Sequence, residues 1–235
     1  MNLPSESIYD QWAFYGTKGA LLLVILSSAI YIFYAIIAAV IGNRSKKYGF
    51  ILNNETSVMW IAAIGFCIAI AMVFNVFLLN ERDFGHMLIF SLKAGLPIGV
   101  AITVGYGIRV YLTIYYPFVL DKKLADIRFR PRKHPKTGNL MRLLNEEEED
   151  KYLSDEMIRQ EEEFQYDFDV WLDENTGKTI IETYKGTTNA ECERCHFKTL
   201  KLVSEEVDTS TKEDVKHFEC SHCGNKVREV VVHHR

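Results

Sequence analysis

The sequence predicts an α-helical membrane protein with three transmembrane helices, joined to a small α+β cytoplasmic domain that contains a four-cysteine zinc ribbon. Three observations support this fold class. The first half of the chain holds three long apolar stretches. Charged residues concentrate in the second half, with 7 basic and 5 acidic residues before Asp121 and 20 and 26 from that residue onward. Two C-x-x-C pairs near the C-terminus contain four of the five cysteines.

The apolar stretches are long enough to cross a bilayer. Residues 20–42 and 57–79 are two runs of 23 residues without a charge. At about 1.5 Å per residue, each run exceeds the ~30 Å hydrocarbon core of a membrane. A third helix is expected at about residues 88–116, inside a longer apolar stretch that holds two basic residues. Residues 20–120 are therefore assigned to a membrane domain.

The basic residues predict the orientation of the chain. They cluster after the first apolar run and again in residues 121–142, a basic juxtamembrane linker with 8 basic and 2 acidic residues. Because such segments remain in the cytoplasm, residues 1–19 should be extracytoplasmic and residues 143–235 cytoplasmic. The acidic start of the chain and the lack of a small-residue cleavage site do not fit a cleaved signal peptide. We expect the membrane to be the bacterial inner membrane.

Two charges fall within the third apolar stretch. Lys93 and Arg109 are 16 positions apart, which is about 24 Å of helix, so that their side chains can reach opposite interfaces. In the functional alternative, these intramembrane charges belong to an ion or proton path. The other two apolar runs offer no acidic partner for such a path.

The same stretch carries a ridge of small residues. Its members follow one another at four-residue spacing: Gly95, Gly99, Thr103 and Gly107. This spacing places them on one helix face, where the backbone of another helix can approach closely. Gly65 and Ala69 give the second helix a shorter ridge. The ridges either pack the three helices against each other or dock a foreign membrane subunit.

The paired cysteines are candidate metal ligands. They follow the pattern C-x2-C-x24-C-x2-C: Cys192, Cys195, Cys220 and Cys223. Persistent disulfides are rare in a reducing cytoplasm, and a redox C-x-x-C typically occurs once, in a thioredoxin-like setting. Four thiolates from two tight turns suit one structural Zn²⁺ ion and leave no position open for water. Disulfide formation and redox chemistry remain as alternatives.

The sequence around the cysteines is typical of a ribbon. Alternating β-branched residues follow each pair, as in strands. Gly224 follows the second pair, where the backbone often needs a positive φ, and His196 occupies the matching position after the first. Since the thiols fill the ligand shell, we expect His196 and His222 to be surface residues.

Four segments carry a resemblance to a known family: MRLLNEEEEDKYLS, EEEFQYDFDVWLDENTGK, CERCHFKTLKLVSE and FECSHCGNKV. Over roughly residues 131–228, the chain resembles the C-terminal cytoplasmic region of some bacterial TPM-domain membrane proteins. The resemblance implies a double ribbon with a second cysteine set. This chain has HPKTG at 134–138 and ENTG at 174–177 in those places, which implies that the turns are kept and the metal is lost. With only about 19 residues before the first predicted span, we expect no TPM domain and none of its suggested hydrolase-like activity.

The region between the linker and the cysteines is acidic. Residues 143–164 predict helical structure, with Asn145 and Glu148 in the arrangement of a capping box. The run of glutamates is interpreted as a solvated helix face. A β-hairpin is expected to follow, in which Asp167 and Asp169 are the polar side of a strand.

Charge restricts the possible partners. Residues 143–235 hold 12 basic and 24 acidic residues, so phosphate would be repelled and nucleic acid is an unfavourable partner. Anionic lipid explains the basic linker better, at ~1 kcal/mol per basic residue. The predicted headgroup contacts are Lys122, Lys123, Arg128, Arg130, Arg132 and Lys133.

These features favour a role without catalysis. The chain has no phosphate loop, nucleophile motif or open metal position. We therefore expect an accessory, scaffold or assembly subunit of a larger membrane complex, with a membrane protein as its partner. The alternative is a homo-oligomeric transporter or channel component in which Lys93 and Arg109 are functional charges. A third interpretation makes the ribbon a docking site for cytoplasmic client proteins.

Overall fold

The computed structural model describes residues 7–162, 165–185, 189–197, 199–208 and 213–232. The chain divides into two compact units. The helical unit comprises residues up to 41 and residues 53–112, and the sheet unit comprises residues 42–52 and the chain from 113 onward. This division confirms the predicted fold class, because one unit contains helices that could span a membrane and the other is rich in β-sheet.

Three helices are long and apolar enough to cross a membrane. They are α1 (Ile8–Val40), α2 (Arg44–Leu78) and α3 (Met87–Ile114). A 3₁₀ turn at Glu81–Gly85 lies between α2 and α3 and is capped by Asn80, whose side chain accepts from the N–H groups of Arg82 and Asp83.

Two of the helices begin before the apolar runs that predict them. Residues 8–19, expected to be an extracytoplasmic segment, belong to α1, because Ser7 and Asp10 form a capping box with bonds of 3.2 and 3.3 Å. The first turns of α2 are polar and are held in the sheet unit. There the Arg44 guanidinium donates to the Arg130 carbonyl at 2.6 Å, and the Ser45 hydroxyl donates to the Thr183 carbonyl.

Small residues bring α1 and α2 together. A Cβ added at Gly16 would lie 2.7 Å from Val76, and one added at Gly65 would overlap the Ser27 hydroxyl. In a membrane, lipid is as apolar as the helix side chains, so the hydrophobic effect does not drive helices together. They associate instead through van der Waals packing, which small residues favour by letting the backbones approach closely. The shorter ridge predicted on α2 therefore packs against α1.

The sheet unit contains three short helices and eight strands within the described residues. The helices are α4 (Tyr116–Arg128), α5 (Glu146–Glu149) and α6 (Asp155–Glu162). The strands of the first sheet are β1 (Arg132–Lys133), β2 (Leu140–Leu143), β3 (Tyr166–Asp173) and β4 (Lys178–Lys185). Those of the ribbon are β5 (Asn189–Ala190), β6 (Leu200–Asp208), β7 (Glu213–Cys220) and β8 (Lys226–Val232).

The first sheet and the ribbon share one topology. Their strand orders are β1-β2-β3-β4 and β5-β6-β7-β8, and every neighbouring pair is antiparallel. In each sheet a two-residue strand leads through a tight turn into a longer strand, and a second tight turn joins the last two strands. The sheet unit is therefore built from one architecture used twice.

The basic linker predicted at residues 121–142 is folded. Its first part belongs to α4, and β1 and most of β2 follow within it. Arg128, which was predicted to contact lipid headgroups, instead ties this segment to the first sheet. Its guanidinium donates to both oxygens of Asp169, at 2.7–3.1 Å, and to Asp167 at 2.8 Å.

The environment of Arg128 makes this ion pair a buried one. Asp169 is 4% exposed, so the side of the strand that it shares with Asp167 is polar but is covered by Arg128 at this position. The guanidinium also lies over the Tyr184 ring at 5.1 Å, and Tyr48 packs edge-on against that ring at 5.1 Å. Burial alone would lower the pKa of Arg128, but the bonds with Asp169 and Asp167 outweigh it and raise that pKa.

Two glutamates bond to the backbone of β3. The Glu149 carboxylate accepts from the Val170 N–H at 3.3 Å, and Glu161 accepts from the Phe168 N–H at 2.7 Å. Glu149 is 5% exposed, so the glutamate run is not solvated throughout. Burial raises the pKa of Glu149 to about 7, although its bond with Val170 acts in the opposite direction.

Replacing Arg128 should destabilise the first sheet. Arg128→Leu leaves Asp169 buried without its counter-ion, which typically costs about 3–5 kcal/mol. The measurement is denaturant unfolding of the full chain, followed by Trp171 fluorescence with Trp12 and Trp60 replaced by phenylalanine. Adding Asp169→Leu should recover part of the loss. Unchanged unfolding in Arg128→Leu would contradict the buried ion pair.

Stability of the first sheet should fall as the pH rises from about 4.5 to about 7. Between the ordinary glutamate pKa of 4.5 and the raised value in Glu149, the folded chain binds more protons than the unfolded chain, so raising the pH favours unfolding. Glu149→Gln keeps an acceptor for Val170 and should reduce this slope, by on the order of 2 kcal/mol across the window. Denaturant unfolding followed by Trp171 fluorescence, repeated across this pH range, measures the slope. Glu147→Gln, at an exposed position, serves as control. Equal slopes in both variants would refute the raised pKa of Glu149.

Candidate metal centre

The ribbon brings the four paired cysteines to one point. Cys192 and Cys195 lie in the turn between β5 and β6, Cys220 ends β7, and Cys223 lies in the turn before β8. Their sulfur atoms all lie within 4.8 Å of one another. The grouping of these residues was predicted from their spacing, and the described residues show it. Cys67, in α2, lies outside the cluster.

The sulfur separations fit a tetrahedral metal. The Sγ atoms of Cys192 and Cys223 are 3.7 Å apart, as are those of Cys195 and Cys220. A regular tetrahedron with metal–sulfur bonds of about 2.3 Å has edges of about 3.8 Å. A disulfide needs about 2.05 Å. The arrangement therefore fits four ligands of one ion better than two disulfides.

Hydrogen bonds prepare the sulfurs to bind a cation. Burial opposes ionisation of Cys220, but bonds with the Thr199 hydroxyl, at 3.1 Å, and with backbone amides lower the pKa of this thiol to about 6. The backbone N–H of Asn225 acts to lower the pKa of Cys223, but burial and the neighbouring sulfurs outweigh it and raise that pKa to about 11. A bound divalent cation offsets the electrostatic repulsion between neighbouring thiolates, so that all four sulfurs can be ionised at the same time.

The turns around the sulfurs follow one backbone pattern. The N–H of His196 donates to the Cys192 carbonyl at 2.7 Å, and that of Gly224 donates to the Cys220 carbonyl at 2.9 Å. Both fifth residues have a positive φ, 56° at His196 and 68° at Gly224. As expected, the His196 side chain is exposed; its Nδ1 lies 3.5 Å from Glu191.

The turns of the first sheet have the same pattern without cysteines. The equivalent bonds run from Gly138 to His134 and from Gly177 to Asp173, both at 2.8 Å, and both glycines have a positive φ. The ligand positions of the ribbon thus correspond to polar residues: His134, Thr137, Asp173 and Thr176. The described residues contain no group of three or more metal-ligating side chains other than the four cysteines.

Asp173 takes the central place in these turns. It is fully buried, and its carboxylate accepts from the hydroxyls of Thr137 and Thr176 at 2.9 and 2.8 Å, from the Asn139 side-chain amide, and from the Asn175 N–H. Asn139 mirrors Asn225, whose side-chain amide donates to Cys192 in the ribbon. Asp173 was not among the predicted site residues. Its signal in the sequence is the D-x-x-T-G spacing, which matches C-x-x-C-G at the second cysteine pair.

The predicted membrane charges have partners within the helical unit. The Lys93 ammonium donates to Asp83 at 2.8 Å. This acidic partner was not predicted, because it lies in the 3₁₀ turn, outside the apolar runs. This bond, together with the capping amide of Asn80, lowers the pKa of Asp83 against the effect of burial. Arg109 lies over the Trp60 ring at 5.9 Å.

The small-residue ridge of α3 does not pack the three helices together. All four of its residues are exposed, and a Cβ added at Gly95, Gly99 or Gly107 would have no described atom within 4 Å. The α3 residues buried in the helical unit are Pro97 and Leu112.

The predicted lipid contacts fall into two groups. Arg128 is held by Asp169, and Arg132 pairs with Glu182 and lies over Trp171 at 5.2 Å. The remaining side chains are exposed: Lys122, Lys123, Arg130 and Lys133. The prediction of headgroup contact remains for this second group.

Comparison with protein-family models, curated proteins and solved structures found no match. The resemblance of residues 131–228 to TPM-domain proteins therefore stays a prediction.

Metal removal should unfold the ribbon and spare the first sheet. The buried cluster of the ribbon consists of Leu200, Cys192 and Cys220, with Phe218, Val227 and the other two ligands packed against it. The turns of the first sheet are instead joined by the bonds of Asp173. A strong chelator should speed amide hydrogen exchange in β6–β8 by more than about a hundredfold and leave β3 and β4 nearly unchanged. Cys220→Ser should act like the chelator and Cys67→Ser should not. An equal increase of amide exchange in both sheets would contradict the expectation that only the ribbon depends on the metal.

Proposed function

We propose that the protein is a non-enzymatic accessory or scaffold subunit of a larger membrane complex. It lies in the bacterial inner membrane with its N-terminus outside and presents the ribbon to the cytoplasm. The ribbon holds one structural Zn²⁺ ion.

The observation that supports this role best is the open ridge of α3. Where α1 and α2 meet, glycines are needed because another side chain lies within 3 Å of the missing Cβ, as at Gly16. At Gly95, Gly99 and Gly107 no described atom restricts the side chain, yet the sequence still has glycine at each. Glycine costs helix stability, so its repetition on an open face is typical of a face that another helix covers.

The metal site supports a structural role for the ion. Four thiolates complete a tetrahedral shell, so no position remains for a water molecule or a substrate. Thiolate ligands favour Zn²⁺ over hard cations such as Mg²⁺ and Ca²⁺, which prefer oxygen. The site thus stabilises a small domain that has little apolar core of its own.

The charge distribution fits the proposed orientation. Exposed basic residues of α4 and the segment after it, such as Lys122 and Arg130, suit anionic lipid at the cytoplasmic face. The chain from residue 143 onward carries twice as many acidic as basic residues, which disfavours nucleic acid as a partner.

A large side chain on the small-residue ridge of α3 should weaken binding of the partner subunit. Gly99→Leu places a branched side chain where a partner backbone would approach, and we expect co-purification of the partner to fall by about tenfold or more. The measurement is the native mass and composition of the complex, extracted from its own membranes in mild detergent with every co-purifying chain identified. Val104→Leu is the matched control, because Val104 is exposed and lies about 140° around the helix from Gly99.

The composition of that complex decides between the proposals. A stoichiometric foreign subunit that is lost in Gly99→Leu supports the accessory role. A monomer without a partner would refute it. A pure homo-oligomer would favour the transport alternative, in which Arg109→Ala abolishes a flux and leaves assembly intact.

A further inference from the structure

Four aromatic rings connect the metal centre to the start of α4. The Phe197 ring packs edge-on against Tyr115 at 5.3 Å, against Phe118 at 6.3 Å and against His222 at 4.9 Å. We call these four residues the aromatic latch. Tyr115 precedes α4 and Phe118 lies in its first turn, whereas the other two rings belong to the cysteine turns.

The backbone of Phe197 is bonded to a ligand residue. Its carbonyl accepts from the Cys192 N–H at 3.0 Å, and Phe197 follows the other ligand of this turn, Cys195, by two positions. The position of the ring therefore depends on the geometry of the first cysteine turn. His222, on another side of the ring, lies between Cys220 and Cys223, so the contact also depends on how the two turns are held together.

The start of α4 is the part of the helix that Phe197 contacts. α4 begins two positions after the end of α3, and Tyr115 between them has helical backbone angles and makes no side-chain capping bond. The Phe118 N–H donates to the Tyr115 carbonyl at 3.3 Å. Because the Phe197 ring packs against both Tyr115 and Phe118, a displacement of that ring would remove contacts from the first turn of α4.

We propose that the metal ion operates the aromatic latch. With the ion bound, four metal–sulfur bonds hold the two cysteine turns together and keep the Phe197 ring in contact with His222 and the start of α4. When the ion leaves, only hydrogen bonds such as that from Asn225 to the Cys192 sulfur still join the turns, so the turns can separate and Phe197 withdraws from Tyr115 and Phe118. The first turns of α4 then open more often. This coupling rests on the metal centre and is independent of the accessory role.

Coupling of this kind is reciprocal. If the metal stabilises the contact with α4, then the contact must stabilise the bound metal. A change on α4, remote in sequence from every ligand, should therefore weaken metal retention. A metal with a merely structural role inside the ribbon would not respond to such a change.

The test uses the full-length chain in detergent with its metal content measured. Phe118→Ala should leave the metal stoichiometry unchanged, speed amide exchange at residues 118–124 by on the order of tenfold, and let a chelator remove the metal several times faster than from the wild type. Phe197→Leu, which keeps an apolar side chain in the turn, should have the same effects. Val119→Ala, an exposed position of α4, is the control.

In the wild type, removing the metal should speed exchange at residues 118–124 to the same extent. Unchanged exchange there after metal removal would overturn the latch, as would unchanged metal release in both variants. A wild-type chain that binds no metal would overturn the latch and the metal centre together. Loss of a partner in Gly99→Leu bears only on the accessory role, so the two proposals fail separately.

Discussion

The guanidinium of Arg128 is the point on which the sheet unit depends. It lies at the end of α4 and joins that helix to Asp167 and Asp169 of β3, 39 and 41 positions later in the chain. A charge buried in this way is stable only because its counter-ions are fixed by strand pairing. At the other end of the same helix, Tyr115 and Phe118 contact the cysteine turns. One short helix thus contacts both the first sheet and the ribbon.

The parts of the structure that depend on local pattern could be predicted from sequence. Uncharged runs of 23 residues have few alternatives to membrane helices, and two C-x-x-C pairs with flanking strands define a four-thiolate site. The capping box at Asn145 also follows from neighbours in the chain and is present, with a bond of 2.9 Å to the Glu148 N–H.

The parts that depend on distant partners could not be predicted in this way. Arg128 and Arg132 resemble lipid-binding residues when only their neighbours in sequence are considered, and their carboxylate partners become visible only once β3 and β4 are placed. Glu149 differs from Glu147 in its burial and in its bond with the Val170 N–H, neither of which a run of four glutamates reveals. The helix ends were missed for another reason. Hydropathy locates the lipid-facing part of a helix, whereas the side chains of Ser7 and Asn43, which accept from N–H groups in the first turns of α1 and α2, mark where these helices begin.

The Asp173 turns have a consequence for how the chain matures. The first sheet closes with hydrogen bonds that the polypeptide itself supplies, and the four cysteines that could hold a metal ion follow it in the chain. Because domains fold as units during synthesis, N-terminal first, the first sheet can be complete before an ion is bound. Where the ion is scarce, the chain would therefore accumulate as a partly folded precursor that a later supply of the ion can finish.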